Sequence, residues 1–479
     1  MQSQRRRDFE SSGHNSVHNQ RESSKVRFEP KRSAEQKRGS PADSGKPLPQ
    51  EGVNLRWRAW SAKNPERTSI LVSYLYPGAY LIPGSMSSGA LNAVGLAIFF
   101  CGPLAVRRLL QNFAQKSYVF VLSDFAVLAM ALWMLVSLVL HEGVRALTGA
   151  GAFAAVQFLL TYLICRSFFS TPLLLKVFAE RMLYVLIATL MYAIVDTLTS
   201  RNTILRLAMT LAGGGATQPL AMEAYRFGLV RAQGSLEHPI LMGVFFVVSA
   251  VLLSQSLLDV RKKFLVVLIC ATGTVLALSS APILSALQGV VILLYFRFLR
   301  GYPWAKLILW MGVFYIIGIV VLFVDQPIEA LISTFTLDPQ TGFYRMDIWR
   351  WVSVNVETSP WIGIGTADWM RPENMSATID SLWLVQAVRY GIPAALLLAM
   401  SCATTGTSLW LRSGSAVLRD PAISSMSSGL GTAIFILFFC AFSVHFWGFV
   451  WLLLAALLGM RAGLTEHSVR VNRSCRGQP

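Results

Sequence analysis

From about Ser69 to Arg461 the chain is a succession of apolar stretches separated by polar links. Crossing the hydrocarbon of a bilayer takes roughly 20 apolar residues as helix. Twelve stretches fit that use: 69–83, 88–106, 118–139, 147–166, 181–198, 239–258, 264–280, 282–298, 306–324, 381–403, 429–443 and 445–461. The first is short and holds Pro77 and Pro83, which predicts a kinked or partly re-entrant segment. The joints near 280–282 and 444–445 are tight, so eleven is the other count. Two links are long, roughly 199–238 and 325–380. Loops above ~15 residues are usually functional or disordered. These contain Trp, Tyr, Phe and Ile partly at helical spacing, which favours order. Arg345, Ile348, Trp349, Val352 and Val356 fall on one helical face. That predicts a helix near the membrane surface with Arg345 at its start.

Composition agrees with lipid as a solvent. Hydrophobic residues make up 54% of the 479 and charged residues 14%, against about 25% charged in soluble domains. Three soluble domains, which length alone would suggest, are therefore excluded. The net charge of +17 resembles that of a nucleic-acid binder until the charges are placed. Residues 1–67 hold 15 Lys/Arg and 8 Asp/Glu. They read as a disordered cytoplasmic tail, because so polar a segment cannot offset its ordering entropy. Other cations mark alternate short loops: Arg107, Arg108 and Lys116; Arg166, Lys176 and Arg181; Arg261, Lys262 and Lys263; Arg297, Arg300 and Lys306; Arg412 and Arg419. Arg461, Arg470, Arg473 and Arg476 follow at the C-terminus, and Arg145 is the exception to the alternation. The positive-inside rule then puts both termini in the cytoplasm and both long loops outside. The expected architecture is an all-α polytopic integral membrane protein of about 12 transmembrane helices. Residues 68–461 form the membrane domain and 462–479 a second cytoplasmic tail.

Several chemistries find no support. Cys101, Cys165, Cys270, Cys402, Cys440 and Cys475 form no CxxC pair or His/Cys cluster. With the opening MQSQRRRDFESSGHNSVHNQ and the first apolar run only near Ser69, no cleaved signal is expected. No acidic string runs through the spans as an ion relay would need, and no Walker loop or dinucleotide fingerprint is present. Asp124 and Asp196 read as caps or interfacial groups near span ends, His141 and His445 as interfacial residues.

The candidate chemistry lies on the outer side. The first long loop ends RFGLVRAQGSLEHPILMG, carrying Arg226, Arg231, Gly234, Glu237 and His238 at the membrane boundary. An arginine fork suits phosphate oxygens, although an interfacial arginine also snorkels to lipid headgroups. Glu237 and His238 are either a base or a helix start before Pro239. The second loop carries TGFYRMDIWRW, SPWIGIGTADW and ATIDSLWLVQAVRYGIP. Arg345 is a further cation there. Gly363 and Gly365 permit either a close backbone approach or a plain turn. Asp380 is either a helix N-cap or a catalytic carboxylate.

Together these residues resemble the O-antigen ligase and O-antigen polymerase family of bacterial inner-membrane glycosyltransferases. Arg231-Ala-Gln-Gly234-Ser-Leu-Glu-His238-Pro239 resembles its R-x-x-G-x-x-x-H-P element, and Arg345-Met-Asp-Ile-Trp349 its R-x-x-x-W element. Pro360-Trp-Ile-Gly363-Ile-Gly365, then Asp380-Ser-Leu-Trp-Leu and Gly391, resemble its P-x-x-G-x-G segment and the loop's return. The likeness covers roughly 69–460. It implies a GT-C-like fold, an undecaprenyl-pyrophosphate-linked glycan donor, a periplasm-facing site and inversion at the anomeric carbon. No cofactor is expected, and with arginines to hold the leaving group's charge and no acidic pair at metal spacing in the loops, no metal either. Membrane lipid, a flippase and chain-length or export proteins are the implied partners; nucleic acid is not. Arg231, Arg345, Arg226, Gly363 and Gly365 become the substrate-binding set, and Asp380, Glu237 and His238, in that order, the candidate bases. Ligases of this family usually carry His-Asn where this chain has Asp380-Ser381, and an Asp there is more similar to the exopolysaccharide polymerases. The expectation is a polymerase of lipid-linked repeat units, with a ligase and a lipid-linked-sugar transporter as the alternatives.

Overall fold

A computed structural model describes residues 67–82, 93–115, 118–211, 225–299, 339–407 and 421–475, with Trp304 and Met311. The N-terminal tail, the 306–324 stretch apart from Met311, and the parts of the long loops at 212–224 and 325–338 lie outside the described residues. The remainder is almost wholly helical. The helices are α1 (Arg67–Gly78), α2 (Ala93–Ala114), α3 (Leu122–Glu142), α4 (Ala150–Phe168), α5 (Pro172–Thr199), α6 (Thr203–Leu211), α7 (Pro239–Ser254), α8 (Val260–Leu276) and α9 (Ser280–Leu299). After them come α10 (Pro339–Thr358), α11 (Leu382–Tyr390), α12 (Ile392–Thr407), α13 (Pro421–Cys440) and α14 (Gly448–Cys475). A two-stranded hairpin, β1 (Tyr225–Arg226) and β2 (Leu229–Val230), pairs Tyr225 with Val230 and Arg226 with Leu229.

Among the described residues seven helices are long and apolar enough to cross a membrane: α2, α3, α4, α5, α9, α13 and α14. Phe99, Phe100, Leu132, Tyr184, Phe264 and Phe298 stand exposed on the bundle. So large an apolar surface requires lipid rather than water around it.

At the centre runs α14, buried from Phe449 to Leu464. Gly459 and Gly463 let it approach α4: a Cβ at Gly463 would lie 2.7 Å from the Arg166 carbonyl. Small residues four apart are what membrane helices use to bring backbones together where apolar burial supplies no driving force. Two boundary differences bear on the site. The helix at 445–461 continues to Cys475, so most of the expected tail 462–479 is helix, with Ala462 and Leu464 buried. Arg461 is therefore interior, donating to Ser427 of α13. The stretch 381–403 is two helices, broken at Gly391, whose φ of +87° and crowding against Trp361 exclude a side chain.

Chain direction sorts the helix termini into two ends. The C-termini of α3, α5, α8 and α13 gather with the N-termini of α4, α7, α9, α11 and α14. Arg107, Arg108, Arg166, Lys176, Arg181 and Lys262 belong to the opposite end.

Candidate functional site

The site is built on three backbone devices at the first of these ends. The first is a buried aspartate. Asp196, in the last turn of α5, accepts the Thr203 N–H at 2.9 Å and the Gly234 N–H at 3.1 Å. It thereby ties the start of α6 to the segment between the hairpin and α7. Gly234 has φ +58° and packs against Thr189, a conformation that costs an L side chain strain.

The second device is the end of α8. Arg226 donates to the Leu278 carbonyl at 3.0 Å and Arg231 to the Ala277 carbonyl at 3.3 Å. Carbonyls left without partners at a helix C-terminus favour cations. Both guanidiniums are thus aimed by backbone, not by a carboxylate.

The third is α10. It begins at Pro339, earlier than expected, so Arg345 sits in its second turn rather than at its start. The expected face is real. Ile348 and Val352 are buried with Trp369, Ile379, Leu384 and Val388 in a small separate core, and Trp349 and Val356 pack against it. Asn355 accepts the Met370 N–H at 2.7 Å and donates to the Met370 carbonyl at 2.8 Å, closing the loop over this core. The result is a rigid platform from which Arg345 Nε donates to Asp380 Oδ2 at 3.1 Å.

These devices bring four expected residues together. Burial, Arg226 and Arg345 hold the Arg231 guanidinium down to about 10, still charged at neutral pH. Burial and the charges of Arg231 and Arg345 push His238 down to about 4, against the opposing pull of Asp380. Arg231, Arg345, Asp380 and His238 therefore share one electrostatic neighbourhood, with Arg226 at its edge. Cations exceed anions in this group. Such a cluster favours a bound anion, because mutual repulsion is then neutralised.

The candidate bases separate on geometry. His238 is the N-cap of α7, its Nδ1 accepting the Ile240 N–H at 3.2 Å, with Pro239 at the first helical position. A neutral imidazole that accepts at Nδ1 carries its proton at Nε2, so it offers a donor to the cluster rather than a base. Glu237 points elsewhere. Its carboxylate packs against Gly448 at the start of α14, whose φ is +54°. Burial pushes that carboxyl up to about 7. Asp380 is not the helix cap. Ser381 fills that position, its Oγ accepting from Leu384 N at 3.4 Å. Asp380 is left facing Arg345 with 38% of its side chain exposed.

The two glycines serve the protein's own backbone. Ile364 N and Gly365 N donate to the Val388 and Arg389 carbonyls at 2.8 and 3.0 Å. A Cβ on Gly363 would meet Arg389 at 2.5 Å, and one on Gly365 would meet His141 at 3.1 Å. Ser137 and His141 of α3 bond the Ile362 carbonyl at 2.6 and 3.3 Å. The close approach these glycines permit thus locks the loop onto α3 and the α11 terminus. Among the described residues no three His, Cys, Asp or Glu side chains gather into a metal-ligand set.

Sequence reasoning passed over Asp196 as a positioning residue and Ser381 as the cap. A lone acid at the end of an apolar run is the signal that marks Asp196; a Ser three residues before Leu384 marks the cap.

No curated protein matches the chain. Residues 265–399 match the family model described as O-antigen ligase, a stretch that includes Arg345, Gly363, Gly365 and Asp380, and the match supports assigning the chain to the O-antigen ligase and polymerase family.

Proposed function

We propose that this protein is a multi-pass membrane glycosyltransferase that joins undecaprenyl-pyrophosphate-linked repeat units on the periplasmic side of a bacterial inner membrane. The observation that carries this reading is the cation-rich cluster of Arg231, Arg345 and Arg226 against one exposed carboxylate, Asp380. The family match supports a lipid-linked glycan as substrate. Alternating loop charge supports twelve spans with the cluster outside.

In the proposed reaction the acceptor hydroxyl attacks the anomeric carbon of the donor from the face opposite the pyrophosphate. The new bond joins acceptor oxygen to anomeric carbon. The bond from that carbon to the pyrophosphate oxygen breaks, and the leaving oxygen keeps the electron pair. Arg231 and Arg345 hold the charge that develops there, and His238 Nε2–H is a further donor. Asp380 takes the hydroxyl proton. One base and one displacement give inversion. Fixed cations at a developing oxyanion are commonly among the largest contributions to rate, so the reaction draws its positive charge from these side chains and needs no metal ion.

Asp380-Ser381 in place of His-Asn favours a polymerase. A ligase is the second reading, favoured by the description of the matching family. Purified protein given radiolabelled lipid-linked repeat units separates them. Longer glycans on the same lipid are expected. Transfer to a second acceptor would establish the ligase instead, and movement across a bilayer without a new bond would overturn the enzyme.

A further inference from the structure

The connection between α13 and α14, residues 441–447, expected only as a tight joint with an interfacial His445, touches both halves of the cluster. On one side it is bolted to the Asp380–Ser381 step. Leu382 N donates to the Ala441 carbonyl at 2.9 Å, and Ser381 Oγ to the same carbonyl at 3.1 Å. On the other side it ends at Gly448, which Glu237 crowds. Between these anchors it presents two aromatic rings. Phe442 stacks on Trp349, one turn beyond Arg345 on α10, with ring centres 6.3 Å apart and planes 13° from parallel. Trp447 meets His238 edge to face at 5.8 Å and His445 at 5.3 Å. Both rings stay open: Phe442 is 44% exposed and Trp447 39%.

An aromatic residue that merely anchors a protein at a membrane surface needs no fixed orientation. Trp447 has one, set by two imidazoles, and one of these is the His238 that faces Arg231, Arg345 and Asp380. A flat, rigid, half-open apolar face beside a cation cluster suits the C–H face of a pyranose ring. A sugar whose pyrophosphate lies on the arginines would have its ring within reach of the indole.

We infer that Trp447 is a positioning residue that stacks on the sugar ring next to the pyrophosphate of a lipid-linked glycan. This rests on the proposed function above. Stacking supplies orientation with few polar requirements, so the indole fixes the ring's plane while the arginines fix its leaving group.

The test uses the full chain in nanodiscs and two probes: undecaprenyl pyrophosphate without sugar, and the lipid-linked repeat unit extracted from producing cells. Trp447→Leu and Trp447→Met, two apolar replacements of different shape, are expected to bind the sugar-free lipid as the natural protein does. Each is expected to bind the glycosylated lipid at least tenfold more weakly. Trp447→Phe, which keeps a flat ring, is expected to restore that binding to within about threefold. Retained binding of the sugar-free lipid also reports that each variant is folded. Equal binding of both lipids by the natural protein and the Leu and Met variants would overturn the inference and leave Trp447 as an interfacial anchor. Loss of both lipids in parallel would also overturn it, since Trp447 would then support the fold or the pyrophosphate. Failure of the pyrophosphate reading is seen separately, as undiminished binding of the sugar-free lipid by Arg345→Ala.

Discussion

The two ends of the bundle use the same residue types to opposite purposes. At one end Arg166, 2% exposed, is enclosed. It pairs with Asp124 at 2.8 Å and Glu466 at 3.4 Å, and donates to Tyr118 Oη at 2.8 Å and to the Val119 carbonyl at 2.9 Å. Tyr162 donates to the second oxygen of Asp124 at 2.6 Å, and Glu466 also pairs with Arg470. Cations and carboxylates are balanced, and α3, α4 and α14 are joined. At the other end three arginines are set by helix-end carbonyls and one partly exposed aspartate. The contrast separates an arginine enclosed by carboxylates from arginines that, among the described residues, outnumber them. The first has its charge neutralised by the protein; the others have their direction fixed and their charge left in surplus.

The comparison is broken most severely at the carboxylates. Asp380→Asn is expected to lower the rate of polymer formation by roughly 10²–10⁴, with protein level and lipid binding unchanged, since Ser381 still caps α11. Asp124→Asn is expected to do the reverse, lowering the unfolding temperature in detergent while folded protein stays active. Normal polymer from Asp380→Asn would remove Asp380 as the base.

Arg166→Ala should leave Asp124 buried without its ion partner and Glu466 with Arg470 alone, at a cost of about 3–5 kcal/mol. It is expected to show as loss of monodisperse protein on size-exclusion chromatography. Arg231→Ala and Arg345→Ala are expected to lower turnover about 10²–10³-fold while the protein stays monodisperse. Lys should rescue neither well, because a point charge lacks the two-pronged fork. If all three variants behave alike, the distinction between the two ends fails.

A smaller effect sharpens the assignment of Glu237. Its folded-state carboxyl is raised from 4.5 to about 7, so the folded chain holds a proton that the unfolded chain releases. This group's effect on stability is most favourable below about pH 4.5 and declines as the pH rises from there to about 7. Glu237→Gln keeps the shape that packs against Gly448 and removes the titrating carboxyl, so it should flatten that part of the unfolding-temperature profile while polymer is still made. The smallest effect is expected at Ser381→Ala, about 0.5–2 kcal/mol of stability for a lost N-cap, with turnover falling far less than for its neighbour Asp380.

The sequence by itself determined that this chain lives in a membrane and is helical, because apolar runs of bilayer length have one inexpensive backbone solution there. It also determined the buried face of α10, since Ile348, Val352 and Val356 repeat at helical spacing whatever they pack against. The motif order pointed to the arginines and Asp380, but residue type alone left each between two roles. The tertiary structure separated these candidates by contacts that no local pattern encodes. Asp380 faces an arginine 35 positions away because the small core beneath α10 sets both. Glu237 is withdrawn to the start of α14, more than two hundred residues further along, because Gly448 leaves it room. Gly363 and Gly365 bring their loop against the α11 terminus and α3. Arg461 and Arg166, which looked like loop charges, are interior because glycines on α14 bring two helix backbones into contact. Periodicity carries information about neighbours three and four residues apart; a site assembled from helix ends depends on which ends meet, and packing alone settles that.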